Sequence, residues 1–219
     1  VIEEILFDVS EALKVPVLVL TLLALLVVIV ELGALLVEIS RRRHRNLLGL
    51  ERAVEECRAR LAAGTPAPAL AALLPYAWSR QMEEAMAGIV DQCGQPDAEA
   101  RIAKRLAEYD YRSLRRLERT RILVRMGPAL GLMGTLIPLS PALAGLADGD
   151  VATLSDNLRV AFSVTVAGLL IGAFAFGIAL VRDRLYAQDY SDIEFIAARL
   201  TTPSGHGAPL PHSHLAVAP

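Results

Sequence analysis

The stretch GPALGLMGTLIPLSP, Gly127 to Pro141, decides how the rest of the chain is read. It is apolar almost throughout, yet three glycines, three prolines and a threonine interrupt it. In water, an interior Gly costs a helix about 1 kcal/mol and an interior Pro about 3 kcal/mol relative to Ala. A soluble helix of this composition would be poor. In lipid no hydrophobic force draws helices together, and close association depends on small residues that let backbones approach. The stretch therefore reads as part of a membrane helix that packs through its backbone.

Working outward, the apolar run around it, Met126 to Ala147, is long enough to cross a bilayer, which takes roughly 20 helical residues. Two further runs match it: Val15 to Val37, interrupted only by Glu31, and Val160 to Val181. A hydrophobic content of 54% and a mean hydropathy of +0.44 agree. Irregular backbone is not tolerated against lipid, which leaves helices for these spans. The expected fold is an all-α integral membrane protein: three transmembrane helices with long cytoplasmic extensions that form a helical bundle domain. The first run follows acidic rather than basic residues (Glu3, Glu4, Asp8, Glu11) and no small-residue cleavage site follows it. It is expected to be a permanent span, not a leader.

Orientation follows from the basic residues. Of 22 Lys and Arg, only Lys14 and Arg159 precede the first span or lie between the second and third. The others, including the block Arg41-Arg42-Arg43-His44-Arg45, belong to segments that the positive-inside rule places in the cytoplasm. The expected layout is an outer segment over 1–14, spans at 15–37, 126–147 and 158–181, and an acidic outer loop at 148–157. The cytoplasmic parts are a helical domain over 38–125, a helix over 182–202 and a Pro-, Gly- and His-rich disordered tail over 203–219. The location implied is a bacterial or archaeal cytoplasmic membrane, with the N-terminus outside.

Within the cytoplasmic domain, residues 46–63 read as an amphipathic helix with Leu47, Leu50, Val54, Cys57 and Leu61 at helical spacing, ended by Gly64-Thr65-Pro66. A second helix is expected over about 68–92 and a third from Asp97, its cap, running without a break signal into the second span. At 1.5 Å per residue that third helix would project about 40 Å below the membrane. Cys57 and Cys93 lie in this reducing compartment and read as small buried apolar residues, not as a disulfide or metal site. His206, His212 and His214 read as part of a solvated tail. No cofactor or metal is expected.

Small residues recur along both later spans at steps of 4 and 3: Gly127, Gly131, Gly134, Pro138, Pro141 and Gly145, then Ala161, Thr165, Gly168, Gly172, Ala175 and Ala179. Each is a heptad seam able to face the other or a neighbouring copy, and tight packing alone would account for the glycines. The prolines go further. Pro138 cannot bond the carbonyl of Gly134, nor Pro141 that of Ile137. With Thr135, Ser163 and Thr165 supplying hydroxyls, Gly134 and Pro138 are candidates to line a narrow hydrated path. The competing reading is that each hydroxyl bonds its own preceding turn.

A membrane proton relay normally uses an ionisable residue. None lies between Arg125 and Asp148, or between Arg159 and Arg182. Glu31 is the one acid well inside a span and is expected to pair with a basic residue such as Arg125. Asp156 and Arg159, one turn apart, are expected to form an ion pair. Any titrating group in a proton path must then come from elsewhere.

The segment GPALGLMGTLIPL resembles the pattern AP-x-LGLLGTV-x-G of the TolQ/ExbB/MotA proton-channel proteins, and VAFSVTVAGLLIGAFAFGIAL is similar to their ALxAT-x-x-GL-x-x-AIPA region. The likeness runs over about Arg121–Tyr186; the three-span layout suits ExbB and TolQ better than four-span MotA. The resemblance implies a homopentameric subunit of a proton-driven motor. Its ring would surround a single-span ExbD-, TolR- or MotB-like partner that carries a membrane aspartate. Thr135 and Thr165 match the family's pore threonines and Pro128 the proline at the inner end of span two. Val160 stands where ExbB and TolQ carry a glutamate, and Pro138 where the family has glycine.

Two functions follow from different classes. One is an ion-conducting motor subunit that couples proton motive force to transport or mechanical work. The other is a non-conducting pentameric scaffold that docks cytoplasmic or envelope partners. An enzyme is not expected, since no Gly-rich phosphate loop or nucleophile–base pair is present. The arginine clusters read as topology determinants and contacts for anionic lipid heads, not as a nucleic-acid site.

Overall fold

The computed structural model describes residues 2–42, 46–147 and 149–202. The expectations for Arg43, His44, Arg45, Asp148 and the 203–219 tail with its histidines lie outside them. The described chain is helical: α1 (Ile2–Ala12), α2 (Lys14–Arg42), α3 (Leu47–Ala62), α4 (Pro66–Leu73), α5 (Arg80–Gln92), α6 (Ala98–Ala147) and α7 (Val151–Thr201). Three stretches are long and apolar enough to cross a membrane: Phe7–Arg42, Ala98–Ala147 and Val151–Thr201. The protein is an all-α, multi-pass membrane protein.

Two compact units divide the chain, Val1–Ser40 with Leu114–Arg184, and Arg41–Ser113 with the chain from Leu185 onward. In the first unit, the buried positions of α2 are Val17, Thr21, Val28 and Leu35, one stripe of a helix. Leu22, Ile29, Leu36, Leu132, Leu136, Leu143, Phe162, Val166, Leu169 and Phe176 are all exposed. Exposed apolar side chains on every span are what a lipid solvent requires and water would penalise. The three prolines Pro128, Pro138 and Pro141 lie inside α6 without ending it.

α6 and α7 are joined at Gly149, whose φ of 78° is left-handed and so suits a residue without Cβ. Asp150 then caps α7, its carboxylate accepting from the Thr153 N–H at 3.1 Å. The Thr153 hydroxyl and backbone bonds hold the Asp150 carboxyl below its usual range. Residues 151–157, read as part of an outer loop, are therefore the first turns of α7.

The second unit packs side chains. Its core takes Leu50, Val54 and Cys57 from α3, Leu73 from α4, Met82, Met86 and Ile89 from α5, Ile102 and Tyr109 from α6, and Ile193 and Ile196 from α7. Asn46 starts α3 by accepting from the Gly49 N–H at 3.2 Å. The single helix expected over 68–92 is instead two. Pro75 has no N–H to continue α4, the chain tightens into a 3-10 turn at Leu74–Tyr76, and Ser79 restarts the helix as the N-cap of α5. Asp97 precedes α6 as expected, but with a left-handed φ of 60°, and its carbonyl is what accepts from the Arg101 N–H at 3.1 Å.

Candidate functional site

The two small-residue seams meet each other within one chain. A methyl added at Gly168 would lie 2.5 Å from the Gly127 carbonyl oxygen and 2.7 Å from Gly131 Cα; one at Gly127 would lie 2.7 Å from the Gly168 oxygen and from the Gly172 nitrogen. At Gly172 it would stand 2.9 Å from Pro128 Cδ, at Gly131 3.3 Å from the Thr165 oxygen, and at Gly134 it would collide with Val164 Cγ1. Gly145 is looser, 3.3 Å from Thr153 Cγ2. Ala161 and Ala175 are buried on the same line, as is Pro138. Backbone packs on backbone at Gly127 and Gly168, which explains why helix breakers are tolerated there: a Cβ at either would separate the helices.

Of the candidate hydroxyls, Thr135 and Thr165 lie beside this seam while Ser163 lies off it, two residues round the helix from Ala161 and Thr165; their hydrogen bonds are mostly turned inward to their own helices. Thr165 Oγ1 donates to the Ala161 carbonyl at 3.0 Å and reaches across to the Gly131 carbonyl at 3.4 Å. Thr135 donates to the Leu132 carbonyl at 2.7 Å and Ser163 to the Arg159 carbonyl at 2.8 Å. Thr135 and Thr165 are half-buried, Ser163 exposed. No side chain among the described residues donates to the Gly134 or Ile137 carbonyls, the two that Pro138 and Pro141 deprive of a helical partner.

The acid inside the first span has a different partner from the one expected. Glu31 Oε2 accepts from Arg182 Nη1 at 2.5 Å, whereas Arg125 is exposed on α6. Glu38 lies 3.6 Å from Arg182 Nε, and Thr120 of α6 receives Nη1 at 3.3 Å. Arg182 itself is 6% exposed. Sequence alone shows that Glu31 and Glu38 share a helix face, because seven residues separate them; it does not show which arginine lies opposite. The expected Asp156–Arg159 pair is corrected too. Both side chains are exposed and form no ion pair among the described residues; a neighbour, Asn157, accepts instead from Lys14 Nζ at 3.4 Å.

In the second unit, Arg42 and Asp189 form a buried pair at 2.5 Å. Beside it, burial pushes the Tyr109 phenol well above its usual range, with the Asp189 charge adding to the effect. Cys57 is fully buried, and burial raises its thiol to about 11; Cys93 is raised by the same cause. Both are thiols without the depressed pKa that reactivity needs. The described residues hold no cluster of three or more metal-ligating side chains.

A scan against family models matches the MotA/TolQ/ExbB proton channel family over residues 75–194, more than half of the 219-residue chain. No curated protein and no solved structure matches. The matched segment contains α5, all of α6 and its seam with α7, but neither α1 nor α2. On that match the chain belongs to the MotA/TolQ/ExbB proton channel family.

Proposed function

We propose that this member of the MotA/TolQ/ExbB proton channel family is the ring-forming subunit of a proton-driven motor. Five copies would surround a single-span partner whose membrane aspartate carries the proton. The observation that supports this reading most directly is a seam with hydroxyls and two proline-released carbonyls but no ionisable side chain. Such a seam offers hydrogen-bonding groups to a proton path and nothing that titrates, so the carboxylate has to be brought by another chain. Thr135, Thr165 and Ser163, with the Gly134 carbonyl opened by Pro138, are the groups assigned to that path. Gly127, Gly131, Gly145, Gly168 and Gly172 hold α6 against α7, and their outward neighbours would form contacts between copies. The orientation proposed puts the N-terminus outside a bacterial or archaeal inner membrane, with the second unit in the cytoplasm and its arginines near anionic lipid heads.

A second reading, the non-conducting scaffold, draws on one observation: Thr135 and Ser163 both spend their hydrogen bonds on their own helices. Purification of the tagged chain from its native membranes separates the two. A pentamer by native mass spectrometry, carrying a single-span protein with an Asp in its membrane helix, is the expected result. A pentamer without such a partner favours the scaffold, and monomer or dimer alone overturns the ring itself.

A further inference from the structure

The inward face of α2 repeats at steps of three and four residues. Val17, Thr21, Val28 and Leu35 are buried on it, and Lys14, Glu31 and Glu38 fall on the same heptad line. Its apolar members specify little by themselves. Lipid is as apolar as the groove that receives the helix, so sliding by one heptad would exchange one aliphatic contact for another at small cost. The polar members cannot slide in this way. Each has a partner among the described residues: Lys14 has Asn157 at 3.4 Å, and Glu31 and Glu38 share Arg182 at 2.5 and 3.6 Å. Arg182 also reaches Thr120, so one guanidinium touches side chains of α2 and α6 from its own place on α7.

Buried charges of this kind are poor sources of net stability. Replacing a whole buried ion cluster by apolar groups of similar size is often neutral or stabilising, while removing one member strands the others. What polar groups on an apolar seam do provide is register, because every shifted alignment leaves them without partners in lipid.

We propose that Arg182 is the register pin of the first span: by engaging Glu31, Glu38 and Thr120 it sets where α2 lies along α6 and α7. Its role is positional and does not require Arg182 to touch a proton or a partner chain.

The test reads register at the far end of the span. Lys14→Cys and Asn157→Cys are introduced into the full-length chain with Cys57→Ala and Cys93→Ala, and bridged with a short bis-maleimide. This pair also deletes the Lys14–Asn157 hydrogen bond, so that bridging does not read that bond itself and the Arg182 cluster is the polar tie the variants then remove. Efficient bridging is expected with Arg182 present, a several-fold loss with Arg182→Met, and an intermediate yield with Arg182→Lys, which keeps the charge but not the fork. Arg121→Met, which removes an exposed pair with Asp183, serves as the control and should leave the yield unchanged. If Arg182→Met does not accumulate, the neutral triple variant Glu31→Gln, Glu38→Gln, Arg182→Met decides the matter. It should recover thermal stability yet still bridge poorly, a combination that loss of stability alone would not give. Bridging at the parental yield in the triple variant would overturn the proposal.

Discussion

At Gly168 an added methyl would stand 2.5 Å from a neighbouring backbone oxygen, while in the second unit Met86 fills its surroundings so fully that none of it is exposed. The two units therefore answer to opposite constraints. The α6–α7 seam packs main chain on main chain and tolerates nothing larger than hydrogen at its crossing. The second unit is a side-chain core of the kind water builds, in which vacated volume is the danger. The difference is the one the proposed layout would produce, with the first unit in lipid and the second in water. In lipid, attraction has to come from close contact; in water, area removed from the solvent is enough.

The largest effect should come from enlarging the seam. Gly168→Leu would drive a branched side chain into the Gly127 carbonyl and the Gly131 backbone, neither of which can turn aside. Overpacking a core typically costs about 1–3 kcal/mol and occasionally more, and a neighbour that is backbone on both sides puts this case beyond that range. The variant should insert in the membrane, since the span stays apolar, but lose its hairpin and with it any ring on native mass spectrometry. At Gly33 on α2 and Gly177 on α7 an added Cβ meets nothing within 4 Å, so Gly33→Leu and Gly177→Leu should leave the chain's own hairpin intact. If Gly168→Leu melts and assembles like its parent, the seam is not the contact that holds α6 to α7.

Truncation should do in the second unit what enlargement does in the first. Met86→Ala leaves a void in the core that Met82, Ile89 and Val54 also build, all of them buried. Such changes typically cost about 2–5 kcal/mol. Thermal unfolding followed by tryptophan emission from Trp78, which packs partly buried against this core, should register the loss. An unchanged midpoint would mean that this unit is not the closely packed core its burial describes.

Much of this contrast was legible in the sequence, and the reason is periodicity. Steps of four and three among Gly127, Gly131 and Gly134, matched by Ala161, Thr165 and Gly168, place small residues on one face of each helix, whatever that face meets. Pro75 and Ser79 also carry a readable message, a stop and a cap, that a single helix over 68–92 passes over. Partners across space were not legible. Glu31 is near several arginines along the chain, and only the folded hairpin brings Arg182 to it. Arg182 looks from sequence like the charged residue that ends a span, so its burial had no local signal. Asp156 and Arg159 show the reverse error: spacing permitted a pair that exposed side chains in solvent have little reason to make.

A smaller effect than either packing change is expected when hydroxyls, not volume, are removed from the seam. Thr135→Val with Thr165→Val preserves branching and nearly all the volume. Thr165 would lose its bonds to Ala161 and Gly131, and Thr135 its bond to Leu132. If these groups serve a proton path, each lost hydrogen bond there is worth roughly 1–3 kcal/mol. Acting through a barrier, that corresponds to a loss of about tenfold to a hundredfold in rate. The double variant should assemble normally yet fall by that amount in proton flux across vesicles, while Thr→Ser at both sites is milder. Equal flux with intact assembly would make both threonines packing residues and favour the scaffold.

Smallest of all should be the effect of Glu31→Gln, although Glu31 is the one acid well inside the first span. Its carboxylate is 31% exposed and its partner Arg182 only 6%, so the question is what the arginine loses. Glutamine keeps a carbonyl oxygen that can accept from the same guanidinium. Glu38 remains beside Nε at 3.6 Å and Thr120 beside Nη1 at 3.3 Å, so the guanidinium keeps a counter-charge and is not stranded. Removing one of two acids around a single cation also relieves the repulsion between them. Proton flux should therefore stay within about twofold of the parent, equivalent to roughly 0.4 kcal/mol on the barrier. The register of α2, read by the same bridging of positions 14 and 157, should hold. Complete loss of flux in a Gln variant that still assembles would show that Glu31 carries protons itself. The ionisable group assigned to a partner chain would then lie, at least in part, in this one.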